Sequence, residues 1–200
     1  MQESKELEAQ MTVESPHRWG GELWEVAKVL LISLAIVLPI RYFIAQPFIV
    51  RGASMEPNFE DNEYLVIDEI SYYFREPKRG ETIVFRYPRN PRQFFIKRIA
   101  GLPEERIEIA GGRIRIFNVE YPAGFTLEEP YLVPPDRSTH PDVVRTLDDD
   151  EYFVLGDNRD ASSDSRLWGA LEENLIVGRA LFRAWPPPRF GTVPDYAVSY

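Results

Sequence analysis

The chain has 200 residues, 44% apolar and 28% charged, an ordinary globular composition for one domain with attachments. Its formal net charge of −9 argues against a nucleic-acid-binding surface and fits a well-solvated one. Cysteine is absent, which excludes disulfides, thiol catalysis and cysteine-ligated zinc, and the only histidines are His17 and His140.

Residues 1–22 are polar and rich in Glu, with no apolar period, and read as a disordered tail. Residues 23–44 follow as the one long apolar run. Its charge-free core, Val29 to Ile40, is shorter than the ~20 residues that span a bilayer. Lys28 and Arg41 can snorkel from its two ends, and Trp24 and Tyr42 sit where interface aromatics belong. Counted over 23–44, a helix rises about 33 Å, enough for a single transmembrane anchor. A buried core helix and a cleaved signal peptide are the competing readings. The long polar leader and bulky Phe43, at −3 of Ala45, speak against cleavage.

Residues 45–200 change to period two. Strands are predicted at 64–67, 82–85, 93–100, 151–155 and 174–185, with a hairpin of 106–109 and 113–116 around Gly111-Gly112. Gly178 marks a bulge or a close approach. Residues 120–150 are rich in Pro and Asp and read as a long, mobile surface excursion. The fold class is mainly β: an antiparallel domain on a single N-terminal transmembrane helix.

Three segments carry candidate chemistry. In Arg51-Gly52-Ala53-Ser54-Met55-Glu56-Pro57, small Gly52 and Ala53 leave room for a second backbone beside the Ser54 hydroxyl. A plain turn serine is the alternative. A serine nucleophile needs a base. His17 precedes the anchor and His140 lies in the excursion, so a lysine is the better partner. In the 93–100 strand, alternation puts Lys97 on one face between Phe95 and Ile99, where desolvation favours its neutral form; a lysine snorkelling to solvent is the alternative. The third segment, 156–169, packs Asp157, Asn158, Arg159, Ser162, Asp164 and Arg166 around a strand end. It is also readable as a solvated loop, and it lacks the spacing of an EF-hand calcium loop. No metal or cofactor is expected.

Taken together, Ser54-Met55-Glu56-Pro57, Arg79 to Phe85, Phe95 to Pro103, and Gly156 to Gly169 resemble the conserved boxes of bacterial type I signal peptidases. The resemblance runs from the anchor to about Pro188, leaving out 120–150. It implies a membrane-bound serine endopeptidase that cuts signal peptides from exported preproteins through an acyl-enzyme. The membrane would be a bacterial plasma membrane or a thylakoid, with the catalytic domain on the outer face and lipid and preprotein as partners. It implies Ser54 as nucleophile, Lys97 as general base and Ser162 as a hydrogen-bond partner of the lysine. Asp164 and Arg166 would form a supporting ion pair, and Asp157, Asn158 and Arg159 a structural turn. Three positions depart from the pattern. Gly52 stands where one branch has a serine that helps hold the oxyanion, which leaves more to the Ser54 backbone N–H. Asn58 replaces a frequent threonine, and Ala161 a frequent asparagine. The alternatives are another Ser-Lys protease, such as a self-cleaving repressor, or a catalytically silent membrane-tethered preprotein-binding module. The first is disfavoured by the anchor and by the absence of a basic half.

Overall fold

The computed structural model describes residues 19–39, 46–132, 139–194 and 196, in two units divided at Ile40 and Arg41. The first unit is helix α1, Trp19–Pro39. It starts four residues before the expected anchor, within the stretch read as tail. The tail's residues 1–18 and the anchor's residues 40–44 lie outside the described residues. Apolar side chains such as Leu23, Leu30, Leu31, Ile32 and Ile36 are exposed along α1. Among the described residues no helix is long and apolar enough to cross a membrane. The reason is in the sequence: Glu22, Glu25 and Lys28 occupy the first half of α1. The charge-free turns that remain rise only about 16 Å, half of a bilayer core.

The second unit is built from antiparallel pairs. Its larger sheet runs in the order β1 (Gln46–Ile49), β2 (Tyr64–Asp68), β11 (Ile176–Trp185), β3 (Thr82–Tyr87), β4 (Asn90–Gly101), β9 (Glu151–Leu155), β10 (Leu171–Glu172), with β12 (Gly191–Thr192) also on β11. A second sheet runs β7 (Phe125–Thr126), β6 (Arg113–Phe117), β5 (Arg106–Ala110), β8 (Val143–Thr146). The predicted strands are all present, with β4 longer at its start than expected. The β5–β6 hairpin turns at Gly111 and Gly112, whose φ values of 56° and 78° only glycine adopts without strain. Gly178 sits at a register shift between β11 and β3, and a Cβ there would meet the Asp68 carbonyl oxygen at 2.6 Å. Both halves of the expectation at Gly178 are met.

Alternation along the strands sorts the apolar residues into three clusters. Met55, Phe59, Leu65, Ile67, Val84 and Ile96 fill one face beneath the Ser54 turn. Ile83, Phe85, Ile99, Tyr152 and Val154 fill another. Ile107, Ile109, Ile114, Ile116, Phe153 and Leu155 fill the space against the small sheet. β4 contributes to all three, through Ile96, Ile99 and Ala100. It is therefore the strand best placed to fix a side chain rigidly.

The segment 120–150 differs from expectation. Residues 133–138 lie outside the described residues, but on either side the chain is docked. β7 and β8 add two strands to the β5–β6 hairpin, and Leu127, Tyr131, Leu132, Thr139 and Leu147 are buried. Strands of two and four residues leave too few alternations to show a period in the sequence. Tyr131→Ala is expected to cost about 3–5 kcal/mol in chemical denaturation, as deletion of a buried ring does. Val119→Ala, at a side chain that is 98% exposed, should change stability by less than about 0.5 kcal/mol.

Candidate active site

The Ser54 turn leaves β1 and is irregular from Arg51 to Phe59. Two side chains plug it into the core: Met55 and Phe59 are fully buried on either side of Pro57. Gly52 has φ of 82°, and its N–H donates to Asp61 Oδ1 at 2.8 Å. A Cβ at Gly52 would meet nothing within 4 Å. Glycine is therefore set here by the backbone angle rather than by a crowding neighbour, and a serine in its place would be strained. Close approach is demanded instead at Gly156, where a Cβ would fall 2.2 Å from Ser162 Oγ and 2.5 Å from the Ser54 carbonyl oxygen.

Lys97 projects from the middle of β4 and is only 3% exposed. Its Nζ lies 2.8 Å from Ser54 Oγ and donates to the Ile96 carbonyl at 2.8 Å. The Phe95 ring centroid is 5.4 Å away. The alternation argument thus holds, and the solvent-seeking alternative for this lysine does not. Burial pushes the amine down to about 8, against the opposing pull of Asp164 and then Asp157. At that value about one molecule in ten carries a neutral amine at pH 7.

Burial prevails because both aspartates are already neutralised. Asp157 takes Arg98 Nε at 2.9 Å and Nη2 at 2.7 Å, with both side chains buried. Asp164 takes Arg166 Nε and Nη2, each at 2.8 Å, and accepts the Gly156 N–H at 3.0 Å. Burial works most strongly against the Arg98 charge, but the hydrogen bonds and charge of Asp157, with Tyr131 and Tyr196, together outweigh it and its pKa is raised. Arg159 behaves likewise, with Glu129 supplying the compensation. Arg159 Nε also donates to the Gly156 carbonyl at 2.9 Å, and Nη1 to Thr139 Oγ1.

The 156–166 segment grips the Ser54 turn directly. The Asn158 N–H donates to the Ser54 carbonyl at 3.0 Å. Asn58 Nδ2 donates to Asp157 Oδ2 at 2.9 Å and to the Tyr131 carbonyl at 2.8 Å. A threonine has one donor and cannot make both bonds, so this departure gives the chain a double link. Ser162 abuts the same glycine as Ser54. Its Oγ is buried without a hydrogen-bond partner, so the bond to Lys97 implied for it is not formed here.

His140 is exposed, and it enters the site only through its carbonyl, which accepts from Arg166 Nη1 at 2.5 Å. His17 lies outside the described residues. Among the described residues no group of acidic and histidine side chains could hold a metal ion. Sequence reasoning missed Arg98, Glu129, Tyr131 and Asn58 as parts of the site. Arg98 had a signal: alternation puts it beside buried Ile96 on the face opposite Lys97, where a charge needs a partner. Tyr131 and Glu129 had none.

A groove of about 340 Å³ opens at Ser54 and Lys97. Its walls come from Phe48, Ile49 and Val50 on one side and Phe94, Phe95 and Ile96 on the other, with Leu65 and Val84 between. Gly52, Ala53, Ala161 and Ser163 line the end near the serine. A buried amine against a serine at the end of an apolar groove is an arrangement suited to acyl transfer from an extended peptide.

A family model described as signal peptidase, peptidase S26, matches residues 23–185. The chain belongs to this family. Signal peptidase I of Leptolyngbya laminosa is 40% identical over 185 residues, covering 87% of each chain. The probable signal peptidase I-2 of Synechocystis sp. is 36% identical over 178 residues, covering 86% of this chain and 78% of the relative. A probable chloroplastic thylakoidal processing peptidase of Arabidopsis thaliana is 30% identical over 190 residues, covering 87% of this chain and 50% of the relative.

For this family member, Gly156→Ala is expected to force Ser162 and the Ser54 carbonyl apart. Peptidase activity should fall by about 100-fold, the scale of an ångström's misplacement, while the melting temperature shifts by only a few degrees. Parallel activity and thermal-melt measurements check this.

Proposed function

We propose that this peptidase removes signal peptides from exported preproteins, with Ser54 as the nucleophile and Lys97 as the general base. The observation that carries the proposal is the 2.8 Å separation of Ser54 Oγ from a desolvated Lys97 Nζ. Neutral Lys97 takes the Ser54 proton as Oγ attacks the scissile carbonyl carbon. The tetrahedral intermediate collapses when the ammonium returns that proton to the departing amine of the mature protein. Lys97, neutral again, removes a proton from water, which attacks the ester carbonyl; as the second tetrahedral intermediate collapses, the ammonium returns that proton to Ser54 Oγ, and the signal peptide leaves with its new carboxyl end. The Ser54 backbone N–H is the oxyanion donor in this scheme, since Gly52 has no hydroxyl to offer.

Asp157, Asn158, Arg159, Asp164 and Arg166 hold the Ser54 turn in register through the hydrogen bonds described above. Ser162, with its unpaired Oγ beside the Ser54 backbone, turns toward the Lys97 ammonium when that forms. The substrate strand lies in the apolar groove beside Gly52 and Ala53. Phe48, Phe94 and Ile96 contribute walls to this groove.

Residues 23–44 tether the catalytic domain, 45–200, to the membrane that delivers the substrate, with the domain on its outer face. This is supported by the exposed apolar surface of α1, by the apolar residues that continue the run to Ile44, and by the thylakoidal and cyanobacterial relatives. The membrane is a bacterial plasma membrane or a thylakoid.

The test is cleavage of a detergent-solubilised preprotein. Wild type and His140→Ala should cut once, after a small residue. Ser54→Ala and Lys97→Ala should remain folded and lose activity by at least about 1,000-fold. In the wild type, kcat/KM should climb about tenfold per pH unit and level off above about pH 8, where the amine is neutral. Cleavage retained by Lys97→Ala, or a plateau already reached at pH 6, would contradict the assignment.

A further inference from the structure

The outgoing arm of the nucleophile turn, Pro57 to Asn58, belongs to no strand, so its carbonyls find no ladder partner. Two arginines from the end of β11 and the turn after it reach them. Arg183 Nη2 donates to the Asn58 carbonyl at 2.7 Å. Arg189 Nη2 donates to the carbonyls of Pro57 at 3.0 Å and Asn58 at 2.8 Å. Arg183 Nη1 also donates to the Arg189 carbonyl at 3.3 Å, which joins the two grips. The Arg183 guanidinium lies 5.4 Å from the ring centroid of Phe59, the buried plug of the same turn.

The two guanidinium groups are fixed from behind by one carboxylate. Glu63 is 1% exposed. Its Oε2 accepts from Arg183 Nε at 2.7 Å, and its Oε1 lies 2.8 Å from Arg189 Nη1, a contact of charge rather than an aligned hydrogen bond. Glu60 Oε1 approaches the same Nη1 at 2.6 Å. The backbone of Glu63 holds the incoming arm, since its carbonyl accepts the Val50 N–H at 2.9 Å. Glu63 is thus tied to the chain before Ser54 by its backbone and to the chain after it by its side chain.

We propose that Arg183 and Arg189, locked by Glu63, are positioning residues for catalysis: they clamp the outgoing arm of the nucleophile turn and so set Ser54 Oγ against Lys97. None of the three lies in the four short boxes quoted for the family resemblance, although Glu63 and Arg183 fall within the matched span. The proposal rests on Ser54 and Lys97 being the reacting pair. Hydrogen bonds from a charged, planar guanidinium to carbonyls are short and directional, which suits a turn with no ladder of its own. The clamp acts three to four residues from the nucleophile and touches neither the groove nor the amine, so it should govern reaction geometry and not substrate affinity.

The experiment uses the full chain in detergent with a preprotein substrate, comparing Arg183→Lys, Arg183→Met, Arg189→Lys and Arg189→Met. Lysine keeps the charge but cannot serve Glu63 and a carbonyl in the same fork. The expected result is a fall in kcat of about 10- to 100-fold for the Met variants. The Lys variants should recover part of that loss, and KM should stay within about twofold throughout. Arg145→Met, which breaks an exposed pair with Glu151, serves as the surface control with kcat unchanged. A lowered melting temperature with unchanged kcat per folded molecule would make the arginines merely structural and overturn the proposal. So would a rise in KM at constant kcat. If Ser54→Ala or Lys97→Ala still cuts, the failure lies instead with the reacting pair on which the proposal rests.

Discussion

A lysine amine taken out of water is the constraint on which this domain is organised. An ammonium prefers hydration, and burying it lowers its pKa unless an opposite charge compensates. Lys97 is 3% exposed, with two aspartates close enough to pull its pKa back up. The amine nevertheless stays low because Arg98 and Arg166 occupy those carboxylates in bidentate fashion. Without them the pull of the two aspartates on the amine would go unopposed and would favour its charged form. The arginines therefore maintain the chemistry of a residue they do not touch.

The same arginines solve a second problem. The loops that bring Ser54, Gly156 and the 120–150 segment together have carbonyls with no strand partner. Guanidinium groups serve many of them: Arg98 that of Gly80, Arg159 that of Gly156, Arg166 those of Arg159 and His140, and Arg183 that of Asn58. Each arginine is anchored by a carboxylate, and the pairs Arg79–Glu105, Arg98–Asp157 and Arg166–Asp164 are nearly solvent-free. Replacing such pairs by apolar residues often stabilises a protein. Here they supply directional contacts that an apolar core cannot, and removing one partner would strand a buried charge.

Much of this was legible in the sequence because period-two alternation and short polar boxes are local signals. The β5–β6 hairpin, the bulge at Gly178 and the burial of Lys97 beside Phe95 followed from spacing alone. The 120–150 segment was not legible, because its two strands are short and its buried residues are placed by distant partners. Glu129 meets Arg159 and Tyr131 stacks on Arg98 across 30 or more positions. Gly52 shows another limit: its role follows from a backbone angle, which a residue name only hints at. The apolar run beginning at 23 is only partly within the described residues.

A Lys97 amine that can lose its proton near neutral pH underlies everything else proposed for this site, and its titration measures that property directly. The chain has only four lysines, Lys5, Lys28, Lys78 and Lys97. Carbon-13 NMR of the lysine Cε signals, with Lys97→Met to assign the site, resolves them individually. One resonance, lost in the variant, should titrate near pH 8. A Lys97 signal that titrates near the ordinary lysine value of 10.5 would mean a solvated, charged amine, and would contradict the base assigned here.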